Sequence, residues 1–183
     1  MEELNLKDSI DYVKDLLKRK KSDRSLNARP GNIVMFKYNA KDKEQTYDKT
    51  PLTIILRKSS KYTLGLNIHW CPFTLRKIFV NALLKSQKQN IKKGLPLTLD
   101  YKKVRPIILR LGMFPVIRLY INARMSKKVI KVEPNELSDI IRVKTETFTN
   151  GKYSAEQLYK MALQKFNSKS TKKKRNVNGL RKA

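Results

Sequence analysis

The stretch "YTLGLNIHWCPFTLRKIF", residues 62–79, constrains the fold most, because its hydrophobic period changes partway along. Leu64, Leu66, Ile68 and Trp70 alternate with Thr63, Gly65, Asn67 and His69, the period of two of a half-buried strand. Beyond Pro72, Leu75, Ile78, Phe79, Ala82 and Leu83 share one helical side, with Thr74 placed to cap that helix. A strand that turns through a proline corner into a helix requires a fold of mixed class. Two more strand signals precede it, "NIVMFKY" (32–38) and "PLTIILRK" (51–58), the second opened by a proline that does no harm at a strand start. Polar loops separate the three, so residues 31–70 predict a short antiparallel meander, a twisted sheet of the kind that curls into a barrel.

Outside the meander the chain reads as follows. Residues 98–128 have helical character, cut into short pieces by Pro106, Gly112 and Pro115. "KVIKVEP" (128–134) alternates again and predicts a returning strand, and "PNELSDIIRV" one turn of helix. "SAEQLYKMALQKF" (154–166) opens on a Ser154/Gln157 capping box and carries Leu158, Met161, Ala162 and Phe166 on one face. At the other end, Leu6, Ile10, Val13 and Leu17 form one stripe of an amphipathic helix, expected to dock on its own domain. The fold class is α+β: a small antiparallel, SH3-like barrel with a helical insertion between its third and last strands. The divisions are an N-terminal helix (1–21), a linker (22–31), a single domain (32–166) and a basic tail (167–183). The tail has seven basic residues, no acidic one and only Val177 and Leu180 as sizeable apolar groups, so it is expected to be disordered.

Charge decides the class of partner. Forty-two Lys and Arg stand against fifteen Asp and Glu, a net +27 that repels itself and calls for a polyanion. Nucleic acid fits first, because neutralised phosphates release counterions. No apolar run of membrane-spanning length occurs, and the acidic, amphipathic N-terminus does not resemble a signal peptide. No membrane partner is expected. One cysteine and one histidine can make neither an internal disulfide nor an ordinary zinc site. No metal and no cofactor are expected, nor is there a glycine-rich phosphate loop.

Rare residues crowd at "IHWCP", yet no acid is placed to orient His69 toward Cys71, so the stretch reads as a structural corner. Asp42, Glu44 and Asp48 share a loop with lysines, and Glu133 and Glu136 flank Pro134, which does not assemble a two-metal nuclease centre. No catalytic residue is expected, and the protein is read as not an enzyme. The candidate phosphate-binding residues are Arg57, Lys58 and Lys61 at the second hairpin, and Arg76 and Lys77 after the corner. Lys102, Lys103, Arg105, Arg110, Arg118, Arg124, Lys127 and Lys128 follow in the later segment, and Lys172, Lys173, Lys174 and Arg175 in the tail. Few aromatics lie among these cations, which favours contacts to the duplex backbone over stacking on single strands.

The order Pro30-Gly31, Phe36 to Tyr38, "YDKTPL" (47–52) and "GLNIHW" (65–70) resembles a family of small uncharacterised proteins of large tailed bacteriophages. Trp70 stands where that family usually has Tyr, and "NARMSKKVIKVEPNEL" matches its basic turn, strand and acidic residue. The resemblance covers residues 30–145. It implies a virion structural or DNA-packaging component at the head or neck, some relatives being described as DNA end protectors. The implied partners are DNA phosphates and virion proteins, with an oligomer in the particle left open. The implied location is the virion, after synthesis in the host cytoplasm. Two alternatives stay open: an RNA-binding or ribosome-associated protein, and a nuclease acting on packaged ends.

Overall fold

The computed structural model describes residues 4–19, 29–40, 48–86, 88, 92–93, 101–132 and 136–180. The linker expected over 22–31 falls mostly outside them, as does the acidic loop around Asp42 and Glu44. Helices are combined with a five-stranded antiparallel sheet of order β4-β3-β2-β1-β5, so the class is α+β. The strands are β1 (Ile33–Tyr38), β2 (Leu52–Lys58), β3 (Tyr62–Asn67), β4 (Ile117–Ile121) and β5 (Met125–Val132). The three strands of the meander pair in the expected sequence, and β5 returns against β1 with Ile33 opposite Val132 and Met35 opposite Ile130.

β4 corrects the reading of 98–128 as mostly helical. "IRLYI" alternates over five residues between two 3₁₀ turns, too short a run to outweigh the helical character upstream. It pairs along β3, with Leu64 opposite Leu119 and Gly65 opposite Arg118. The helical insertion therefore lies between the third and fourth strands. A three-residue 3₁₀ turn, Asn122–Arg124, joins β4 to β5 although these are the sheet's two edges. Such a short link requires strong curvature, and register shifts at Phe36/Tyr38 in β1 and Ile55/Arg57 in β2 supply bends of the kind bulges produce. The edges do not pair, so the sheet is not closed.

Alternation divides the apolar residues between two cores. Ile33, Met35, Leu52, Ile54 and Leu66 face the helices, in the main cluster with Phe79, Leu83, Val104, Ile108 and Leu158. On the other face Val34, Phe36, Ile55, Tyr120 and Val129 form a smaller cluster, in which the rings of Phe36, Tyr38 and Tyr120 meet edge to face. Gly65 sits in this second layer. A Cβ there would collide with the Thr53 methyl, so the glycine is required by close approach of β2 to β3.

The helices are α1 (Leu6–Arg19), α2 (Phe73–Ser86), α3 (Tyr101–Arg110), α4 (Leu137–Arg142), α5 (Glu146–Thr149) and α6 (Ala155–Leu180). α1 docks on its own domain, through part of the expected stripe. Val13 is buried with Tyr12 beside it, and Lys144 N donates to Ser9 Oγ, whereas Leu6 and Ile10 remain exposed. α2 begins one residue before Thr74, whose side chain is exposed in the first turn rather than capping. α3 runs through Pro106 instead of breaking there, and its last turn closes at Gly112 (φ +63°) with Met113 N bonded to Ile108 O. The capping box closes in both directions, Gln157 N to Ser154 Oγ at 3.2 Å and Ser154 N to Gln157 Oε1 at 2.8 Å. α6 then continues to Leu180, so the backbone of 167–180 is helical where a tail without secondary structure is expected. Lys and Arg favour helix and no proline interrupts them.

Candidate nucleic-acid interface

Strand β3 does not continue to Trp70. It ends at Asn67, whose Oδ1 accepts the His69 amide at 3.1 Å and caps a 3₁₀ turn over Ile68–Trp70. The turn points Ile68, His69 and Trp70 all inward, which corrects the alternation expected to send His69 to the opposite face. His69 is fully buried and stacked on Phe148, ring centroids 3.9 Å apart. Burial, reinforced by the nearby Arg76 charge, holds its pKa well below the usual histidine value, so the ring is neutral. Cys71 is buried too, and its thiol is pushed up to about 12. A thiol held protonated is a poor nucleophile.

Arg76 corrects the basic set. It is fully buried beneath the corner, its Nη1 donating to Ile141 O at 2.9 Å and Val143 O at 3.1 Å. It ties α2 to the end of α4 and cannot reach a phosphate. Charge alone could not separate it from Lys77, its half-buried neighbour.

The remaining cations gather at definable places. Asn122 pins the β2–β3 hairpin to the turn between β4 and β5: its Nδ2 donates to Ser59 O at 2.8 Å and Ser60 O at 3.0 Å, and its Oδ1 accepts from Thr63 Oγ1 at 2.7 Å. Arg57, Lys58 and Lys61 are thereby brought to the same end of the sheet as Arg124, Lys127 and Lys128. Around the corner of that end, Lys37 and Lys49 join Arg124 in lining an open cleft of about 790 Å³. Lys37 and Lys49 are absent from the sequence-based set, since they flank a loop that mixes acids with lysines. Lys102, Arg105 and Arg110 are exposed on α3. The Lys103 side chain, and those of Lys172, Lys173, Lys174 and Arg175 on the last turns of α6, lie outside the described residues. From residue 49 to 132 there are nineteen basic residues and one acidic, Asp100. Eight of the fifteen acids lie instead on α1 and from Glu133 to Glu156.

A pocket of about 530 Å³ opens between β4 and α6, within the range of small-ligand sites. Trp70 forms one wall, with the Arg118 guanidinium 4.0 Å above its ring. Phe114 and Phe166 form another, their rings within 10° of parallel and 6.4 Å between centroids. Asp48 lies at the inner end, almost fully buried. Its Oδ2 accepts from Asn67 Nδ2 at 2.9 Å and its Oδ1 from Thr50 N at 3.0 Å. Burial raises its pKa from 3.8 to about 6, the shift being held back by those bonds and by the Trp70 indole alongside. Thr53 Oγ1 donates to Tyr120 OH at 3.2 Å behind it, and Lys165 stands on the α6 side. Asp48 and Asn67, from separate sequence motifs, thus meet here, though sequence assigned one to a solvated loop and the other to a strand face. Among the described residues no cluster of acids, histidines and cysteines could hold a metal ion, and no helix is long and apolar enough to cross a membrane.

The fold is that of a basic α+β protein with one group of cations at an end of a curved sheet, beside an aromatic pocket with a buried carboxylate. The chain belongs to the family of phage T4 terminal DNA protecting proteins, whose profile it matches over residues 3–172. The match extends beyond the span of the motifs that suggested a phage protein, taking in α1 and most of α6. No curated protein and no solved structure matches it.

Proposed function

We propose that this protein binds the ends of phage DNA and shields them, acting by occupancy and without catalysis. The observation that carries the reading is the family match over nearly the whole chain, to proteins described as protecting terminal DNA. The charge pattern supplies the means. Nineteen cations against one acid over residues 49–132 favour any polyanion, and contacts to phosphates position a protein without reading sequence. The site residues are Arg57, Lys58, Lys61, Arg124, Lys127 and Lys128 at the sheet end, with Lys37 and Lys49 added and Arg76 removed. Lys172 to Arg175 extend the contact along a duplex as a basic arm separable from the 32–166 folding unit. The curved sheet is read as an opened SH3-like barrel, supported by its strand order and by the 3₁₀ turn between its edges. A place in the virion, at the packaged end near the neck, follows from the same family reading.

Binding should be tight at 50 mM salt and weaken about 10³-fold or more by 200 mM if roughly six phosphates are engaged. Two unrelated blunt duplexes, measured by fluorescence anisotropy across that range, should differ by less than about 10-fold. A preference above 100-fold for one sequence would reject phosphate-directed binding. Tighter binding to a ribosomal RNA stem would favour the RNA partner instead.

A further inference from the structure

We propose that the pocket between β4 and α6 receives one unpaired terminal nucleotide of a DNA strand, so that the protein engages an end as an end. The inference rests on the DNA-end reading above. Phosphate contacts along a duplex cannot by themselves distinguish its end from its middle, since the backbone is the same in both. A feature confined to ends is a base free to leave the stack. The pocket offers what such a base needs. The guanidinium of Arg118, carried on Trp70, presents a flat cationic surface, and bases stack on guanidinium planes as they do on aromatic rings. Phe114 and Phe166 add aromatic area, and Phe166 is 44% exposed, so its ring is within reach of an incoming base.

The polar groups are arranged in the order a nucleotide would meet them. Arg118 and Lys165 supply positive charge for the terminal phosphate. Asp48 and Asn67 lie deeper, where the Watson–Crick edge of the base would arrive. Each Asp48 oxygen accepts one bond from the protein, and a carboxylate has about four acceptor positions, so capacity remains for an exocyclic amine. A buried carboxylate would repel a phosphate, which excludes the inverse orientation. α6 runs on from Lys165 and Phe166 at this pocket, so the basic arm leaves from the place where the strand end is held and can follow the adjoining duplex.

Trp70 is the chain's single tryptophan and provides the readout. The ligands are a 20-base-pair duplex with one unpaired nucleotide at each 3′ end and a covalently closed circle of related sequence. The linear duplex should quench Trp70 emission saturably, and the circle should bind, by anisotropy, without quenching. Phe166→Ala removes no charge, so it should weaken the linear duplex about 10-fold or more, the range for loss of a base-stacking aromatic, and leave the circle within about 2-fold. Arg118→Gln should abolish the quenching difference, which guards against a Phe166 effect through helix packing. Equal quenching by both DNAs, or an equal effect of Phe166→Ala on both, would overturn the pocket assignment while leaving phosphate binding intact. Absence of binding to either DNA at 50 mM salt would overturn the DNA-end reading as well.

Discussion

Replacing Gly65 with alanine tests the close packing that gives the sheet its curvature. The added methyl would overlap Thr53 Cγ2 and sit 3.4 Å from both Ile54 O and Tyr120 Cε2, so backbone on one side and a ring on the other leave it nowhere to go. Thr53 must yield, yet it is β-branched and its Oγ1 is bonded to Tyr120 OH at 3.2 Å. Overpacking in such a layer costs about 1–3 kcal/mol, and the rigid surroundings place this case near the top of that range. Losing the Thr53–Tyr120 bond adds about 1 kcal/mol, and the gain from replacing a strand glycine returns about 1 kcal/mol. The net is a destabilisation of about 3 kcal/mol, which in a chain of this size lowers Tm by about 6–12 °C. Urea titration and calorimetry measure it. Thr53→Ser removes the obstructing methyl and keeps the hydroxyl, so the double variant should recover most of the loss. Stability of Gly65→Ala within about 0.5 kcal/mol of wild type, or no coupling in the double variant, would refute the packing argument.

Asp48 should make stability depend on pH. Its folded pKa, about 6, lies above the ordinary 3.8, so its contribution is fully present below about pH 3.8 and lost as pH rises through 6. Relative to Asp48→Asn, in urea titrations, the wild type should lose about 2 kcal/mol between pH 4 and pH 7; a constant difference would contradict the burial argument. Arg76→Met should cost about 3 kcal/mol or more by leaving the Ile141 and Val143 carbonyls unpaired, with unchanged DNA affinity in the folded fraction measured by anisotropy. His69→Ala should cost about 2–4 kcal/mol through the space left against Phe148, measurable in urea, and not the small amount a surface position would give. Deleting residues 167–183 removes seven cations, so anisotropy should show weaker duplex binding and a shallower salt dependence, with Tm nearly unchanged.

Legibility followed how local the determining physics is. The meander, the returning strand, α6 and its capping box were readable because period and capping act within a few residues. β4 was not: five residues of alternation acquire meaning only beside β3, which lies far back in the sequence. Likewise, the 3₁₀ turn at Ile68 depends on Asn67 being free to cap it, and Asn67 is held by Asp48, nineteen residues away. The phosphate-binding set was readable as a charge excess but not as a surface. Sequence cannot tell a lysine at a hairpin tip from Arg76, whose charge is satisfied by carbonyls at the end of α4. The pocket was invisible for the same reason, since its walls come from the corner, β4 and α6, and its carboxylate lay in what read as a solvated loop.

The most direct measurement of the central claim is nuclease protection of linear against closed DNA. At low salt, a linear duplex saturated with the protein should survive a processive end-dependent exonuclease at least about 10-fold longer than free duplex. A closed circle at the same protein ratio is bound through the same phosphates, but it should gain far less protection from an endonuclease than the linear ends gain from the exonuclease. Equal shielding of circle and linear duplex would reduce the protein to a general coat, and digestion of the linear duplex at the free rate would contradict end protection outright.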